Sequence, residues 1–169
     1  MPKPLNRFMA YQGRFKPKNI SKYKGDASKV VFRSLWERNA FRYLDENPAI
    51  VQWNSEEIVI PYKCKSDGRA HRYFPDLWFK TIKGKEFLIE IKPDAQTKEP
   101  RIPAKKTHRF LTEVMTYAKN TSKWDAAEVY CANRNWTFQI WTEHSLAKLG
   151  IKTLKQLPRV PRKPRRRKK

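Results

Sequence analysis

Apolar residues recur at helical spacing in two long stretches of this chain and follow a strand-like pattern between them. In the first stretch Phe32, Leu35, Trp36, Ala40, Tyr43 and Leu44 form a stripe that predicts a helix over residues 27–46. Asp26 or Ser28 would cap its start, and Asn47-Pro48 would end it. Glu37 lies beside the stripe, so it can border a site while the stripe packs. Residues 50–53 and 57–62 then have strand composition, and Ser66-Asp67-Gly68 marks a turn into a strand beginning near Arg69. Residues 73–81 and 85–92 read as a hairpin. Beyond a proline-rich loop, Phe110, Leu111, Val114, Met115 and Ala118 predict a second helix over 104–119. Residues 127–132 and 136–141 read as two further strands, and 144–149 as a short helix stopped by Gly150.

This order predicts an α/β domain of the α+β kind with a mixed sheet: helix, strands, hairpin, helix, strands. Basic extensions flank it. Residues 1–27 form an arm in which lysines and arginines alternate with Phe8, Tyr11, Phe15 and Tyr23. It reads equally as a DNA-hugging segment or as a wrap over the domain. Residues 28–157 form the domain, and 158–169 a polybasic tail.

Charge narrows the partner. Lys and Arg number 38 against 16 Asp and Glu, a formal net charge of +22. Such a chain attracts polyanions, with the phosphate backbone of double-stranded DNA foremost. Anionic membrane competes, but no apolar run approaches the roughly 18–20 residues that a span needs. The N-terminus lacks the apolar core of a signal peptide. Cys64 and Cys131 lie far apart, which fits a reducing compartment. His71, His108 and His144 are widely spread and predict no zinc site. No helix-turn-helix or zinc-finger pattern supports sequence-specific repression.

The candidate chemistry sits in the hairpin. Residues 90 and 92 share one face of a strand, because side chains alternate. A two-residue turn at Lys83-Gly84 would put Asp76 on the opposite face. A three-residue loop, Ile82-Lys83-Gly84 with the glycine left-handed, puts Asp76 opposite Glu90 and Lys92 diagonally beside it. The same register gathers Leu77, Phe79, Phe87, Ile89 and Ile91 on the other face. One register thus serves both the acids and the core, with Cβ atoms about 4.5–5.5 Å apart across the pair. Two carboxylates so close repel unless a cation intervenes, and Mg²⁺ is the natural choice, with Mn²⁺ as a substitute. Glu37 can complete the shell directly or through water. The competing reading is a plain solvated strand face, since Glu-x-Lys alone is common.

At Trp36-Glu37-Arg38, Phe74-Pro75-Asp76-Leu77 and Leu88-Ile89-Glu90-Ile91-Lys92 the chain resembles the PD-(D/E)xK nuclease superfamily, with its restriction-endonuclease-like fold. Residues 34–141 look like the transposase endonuclease-subunit branch. Over residues 9–157 the chain is similar to the head-completion nucleases of T-even-like tailed phages. The resemblance implies a metal-dependent deoxyribonuclease with Asp76 and Glu90 as metal ligands, Lys92 as the catalytic lysine and Glu37 as the helix acid. It implies action on packaged DNA in the host cytoplasm during head completion, or at the head-neck region of the virion, beside portal or neck proteins. Lys105, Lys106 and Arg109, opening the second helix, and Arg165, Arg166 and Arg167 in the tail are the candidate DNA contacts; a solvated helix end and a tail docked on an acidic portal or neck protein are the competing readings. Glu56 and Glu57 are candidates for a fourth acid, and Trp78 for a base-stacking platform on the acid face. A non-catalytic DNA-binding joining protein and a recombinase endonuclease subunit stay open as alternatives.

Overall fold

The computed structural model describes residues 12–153. Its elements run β1 (Gly13–Arg14), β2 (Val31–Phe32), α1 (Leu35–Glu46), β3 (Ile50–Asn54), β4 (Ile60–Lys63), β5 (Ala70–Tyr73), β6 (Leu77–Thr81), β7 (Glu86–Ile91), α2 (His108–Ala132), β8 (Thr137–Trp141) and α3 (Glu143–Lys148). Four strands make the central sheet in the order β3-β6-β7-β8. The β3–β6 and β6–β7 pairs are antiparallel, and β7–β8 is parallel. A parallel pair needs a crossover, and α2 lies in that connection.

One tight turn sets the sheet's register. Gly84 has φ +76°, a left-handed value that suits glycine. Its N–H donates to Thr81 O at 2.9 Å, and Thr81 N–H donates to Lys85 O at 2.9 Å. The loop is therefore the three-residue form. Leu77 faces Ile89, Trp78 faces Leu88 and Phe79 faces Phe87.

Alternation along this hairpin builds two cores. Leu77, Phe79, Ile89 and Ile91 pack with Ala40, Phe41 and Leu44 of α1 and with Leu146 of α3. Trp78 and Leu88 point the other way, toward Ala127 and Cys131 of α2 and Ile60, Tyr62, Cys64 and Tyr73 of the β4–β5 hairpin.

Both long helices differ from the pattern-based expectation. In place of one helix over 27–46 there is a 3₁₀ turn (Ala27–Lys29), then β2, then α1 from Leu35. Ser34 explains the late start: its Oγ accepts from Glu37 N–H at 3.1 Å, and Glu37 Oε1 accepts from Ser34 Oγ at 2.9 Å. This is a close relative of the reciprocal capping box, written in the sequence as Ser34-Leu35-Trp36-Glu37.

The second helix starts later and ends later than expected. Thr107 caps it, accepting from Phe110 N–H at 3.2 Å, and it continues through residues 127–132, which read as a strand. Val129 and Tyr130 suggest β structure locally. Trp124, Ala127 and Cys131 nevertheless fall at helical spacing and are buried, while Val129 is exposed. In the first half of α2, Leu111, Val114 and Met115 are exposed rather than packed.

The described part of the arm wraps over the domain. Phe15 and Tyr23 pack edge-on against Trp53, with ring centroids 5.9 and 4.9 Å away. Asp45 anchors this wrap from inside α1, at 1% exposure. Its Oδ2 accepts from Lys18 N–H at 2.8 Å and Asn19 N–H at 3.2 Å, and its Oδ1 from Trp53 Nε1–H at 3.3 Å. Removing a buried acceptor strands its donors. Asp45→Ala is expected to cost about 2 kcal/mol, read as a fall in Tm of roughly 4–8 °C for a domain of this size.

Candidate active site

Continuing the β6–β7 register by one residue sets Asp76 opposite Glu90. Asp76 stands on the link between β5 and β6, behind buried Pro75. Its Oδ2 accepts from Ile91 N–H at 2.6 Å, which ties it to the facing strand. Glu90 is 3% exposed, and both its oxygens are engaged. Lys92 Nζ lies 3.0 Å from Oε1, and Tyr73 Oη donates to Oε2 at 2.6 Å.

Burial and charge set the protonation here. Burial, then the Glu90 charge, holds the Asp76 carboxyl well above the usual carboxylate range; Glu37 adds to this, and the Ile91 amide and Lys92 oppose it. Burial works against the Lys92 ammonium, but Glu90, Asp76 and Glu37 reverse that and hold it above its ordinary value. The Tyr73 phenol is raised by burial and then by Glu90. It therefore stays protonated and donates.

Glu37 approaches the pair from α1 but is engaged locally. Besides Ser34 Oγ, it accepts from Arg33 N–H at 2.7 Å through Oε2. Its charge is felt at both Asp76 and Lys92. Glu37, Asp76 and Glu90 are nevertheless not drawn into a group whose ligand atoms all lie within 4.8 Å of one another. The one such group among the described residues is Cys64, Asp67 and His71 on the β4–β5 hairpin. The wide spacing of His71, His108 and His144 along the chain conceals it. There His71 Nε2 lies 2.8 Å from Asp67 Oδ2, and Cys64 Sγ 3.0 Å from Ser66 Oγ.

Lys105 and Lys106 are exposed and precede α2 rather than opening it. Arg109, in its first turn, pairs with Glu113 at 2.9 Å. It stands 14 residues before Lys123, about 20 Å along the helix axis, so the basic start of α2 lies at the far end of the helix from Lys123. Arg165, Arg166 and Arg167 lie outside the described residues. Glu56 pairs with Arg33, and Glu57 accepts from Tyr23 Oη at 3.3 Å, so both turn to structural partners. Trp78 is on the acid face but is 2% exposed and bonded to Glu86. It is core, with no ring face left for a base.

Two residues at the site escaped the sequence reading. Tyr73 falls within the strand predicted over residues 73–81; in the structure it closes β5, and the chain turns between it and Asp76. Lys123 lay between two predicted elements. As part of α2 it is half-buried, with Nζ 5.4 Å from the centre of the Tyr73 ring. Burial lowers its ammonium, Lys92 and Lys119 push the same way, and Glu90 and Asp76 oppose them. The signal available was the helical spacing of Asn120, Trp124, Ala127 and Cys131.

A mixed sheet with an aspartate at one strand's start, Glu-x-Lys on its neighbour and helices on both faces defines a nuclease of the PD-(D/E)xK class. Residues 47–143 match the family model of the TnsA-like endonuclease N-terminal domain. Over 148 residues the chain is 48% identical to the head completion nuclease of Enterobacteria phage T4, an alignment that covers 85% of this chain and 99% of that protein. The chain belongs to this TnsA-like endonuclease family.

The raised Asp76 has a consequence for stability. The folded protein holds a proton that the unfolded chain gives up in the ordinary carboxylate range, so stability falls as pH rises from about 4 toward neutrality. Asp76→Asn removes that penalty. In EDTA, the substitution is expected to raise Tm at pH 8 by at least about 2 °C and to leave it nearly unchanged at pH 4. An equal effect at both pH values would contradict a carboxyl raised by its surroundings.

Proposed function

We propose that the chain is a metal-dependent DNA endonuclease that acts in phage head completion, trimming or cutting packaged DNA before the neck attaches. The observation that carries this reading is the β6–β7 register, which sets Asp76 opposite Glu90 with Lys92 on the Glu90 carboxylate. The head completion nuclease of phage T4, 48% identical to this chain, supports the same biological step.

The donor set fits a hard divalent cation. Asp76 and Glu90 face each other and offer only oxygens, and burial with the Glu90 charge disfavours the Asp76 anion, a penalty that a bound cation would offset. Mg²⁺ suits such a set, and Mn²⁺ should replace it. When bound, the ion supplies charge neutralisation at the phosphate and a more acidic water. Asp76 and Glu90 would hold it, with Glu37 reaching it through water because its own oxygens serve the start of α1.

The protein's own groups have separable tasks in hydrolysis of the phosphodiester. Water oxygen bonds to phosphorus, one P–O ester bond breaks, and the departing oxygen takes a proton. Lys92 stands beside Glu90 and can follow the negative charge that builds on the phosphate. Tyr73 fixes the carboxylate's orientation through its short hydrogen bond. Lys105, Lys106 and Arg109, away from the acids at the start of α2, and the tail arginines Arg165, Arg166 and Arg167 would neutralise the DNA backbone. Portal or neck proteins are the expected protein neighbours, and the host cytoplasm the place of action. Among the described residues no helix is long and apolar enough to cross a membrane.

Supercoiled plasmid with and without Mg²⁺ tests this directly. Wild type is expected to nick or linearise it only with the ion, and Glu90→Gln to lose at least about 100-fold in rate while still binding DNA. Plasmid left intact by bound wild-type protein would sink the reading. Binding itself should weaken steeply with salt, by about tenfold or more between 50 and 200 mM, because each phosphate contact releases counterions. A salt-insensitive affinity in a gel-shift titration would contradict it.

A further inference from the structure

Lys92 is already committed to Glu90, at 3.0 Å. The α2 helix brings a second lysine to the same place from the opposite layer. Lys123 Nζ lies 5.4 Å from the centre of the Tyr73 ring, and the Tyr73 hydroxyl is bonded to Glu90 at 2.6 Å. Glu90, Lys92, Lys119 and Asp76 are its charged neighbours. Among the described residues no oxygen accepts a hydrogen bond from Lys123 Nζ. A half-buried ammonium held over a ring, next to acids but bonded to none of them, is costly without an anion.

We propose that Lys123 binds the scissile phosphate, meeting a nonbridging oxygen from the α2 side while Lys92 meets it from β7. This rests on the nuclease reading above. A cleft of about 630 Å³ lies between the loop after β7, including Asp94 and Arg101, and the α2 residues Thr112, Tyr117 and Asn120. It ends at Asn120, one helical turn before Lys123. Lys123 keeps its proton throughout. Its task is electrostatic, and it is greatest when charge on the phosphate is greatest. The ring of Tyr73 holds the ammonium while its hydroxyl holds Glu90, so one residue spaces the cation from the acid and prevents their direct pairing.

The test is single-turnover cleavage of a short DNA duplex at saturating enzyme by Lys123→Met and Lys123→Arg, with Glu90→Gln beside them. Methionine keeps the stem over the ring without the charge. Lys123→Met is expected to slow cleavage by about 100-fold with no fall in Tm, and Lys123→Arg to retain most of the rate. In the Glu90→Gln background, adding Lys123→Met should lower the slope of log affinity against log salt by about one. Wild-type cleavage by Lys123→Met, with Glu90→Gln inactive, overturns the proposal and leaves the nuclease reading standing. If wild type itself fails to cut, the nuclease reading has failed, and the salt slope still decides whether Lys123 touches phosphate: an unchanged slope overturns it.

Discussion

Two carboxylates facing each other across one antiparallel strand pair are the constraint around which this molecule is arranged. Side by side in a poorly solvated place, Asp76 and Glu90 cannot both be comfortable as anions. The protein relieves the conflict only in part. Lys92 and Tyr73 each hold one oxygen of Glu90, and the Ile91 amide holds Asp76. Asp76 still keeps its proton more strongly than an ordinary aspartate. A carboxyl held in that condition costs stability wherever the unfolded chain would already have released the proton.

The sheet lets such a site exist beside two cores. Along β7, residues 87, 89 and 91 feed the core under α1, while 88 and 90 face α2 and the β4–β5 hairpin. Packing that buries Trp78 and Leu88 on that second face also withdraws water from Glu90. Desolvation of the acid and formation of the core are therefore one event. The α2 helix belongs to both: its second half closes the core with Ala127 and Cys131, and the same turns deliver Lys123 to the acids. The arm contributes indirectly. Through Asp45 and Trp53 it clamps α1 against β3, and α1 carries Glu37.

Much of this could be read along the chain. The hairpin register followed from two local facts: a glycine able to take a left-handed turn, and alternation that must place Leu77, Phe79, Ile89 and Ile91 together. Short-range turn chemistry and the two-residue period of a strand are decided within a few residues. The acids and Lys92 were legible for the same reason. The arm was not: its aromatics suited a bound strand of DNA as well as a groove of the domain, and only the buried Asp45 carboxylate settles where residues 18 and 19 go.

Alternation and turn geometry are local, so the side chains that share a face of the β6–β7 hairpin are written in the hairpin's own residues. What meets that face from elsewhere is set by packing over long range. Val129 and Tyr130 favour a strand on local grounds, yet burial of Trp124, Ala127 and Cys131 against the sheet makes residues 108–132 one helix. That long-range packing brings Lys123 over Tyr73, buries Trp78, and leaves Glu37 capping α1 while its charge is felt at Asp76 and Lys92. Such outcomes depend on which surfaces lose water together, and no stretch of a few residues carries that information.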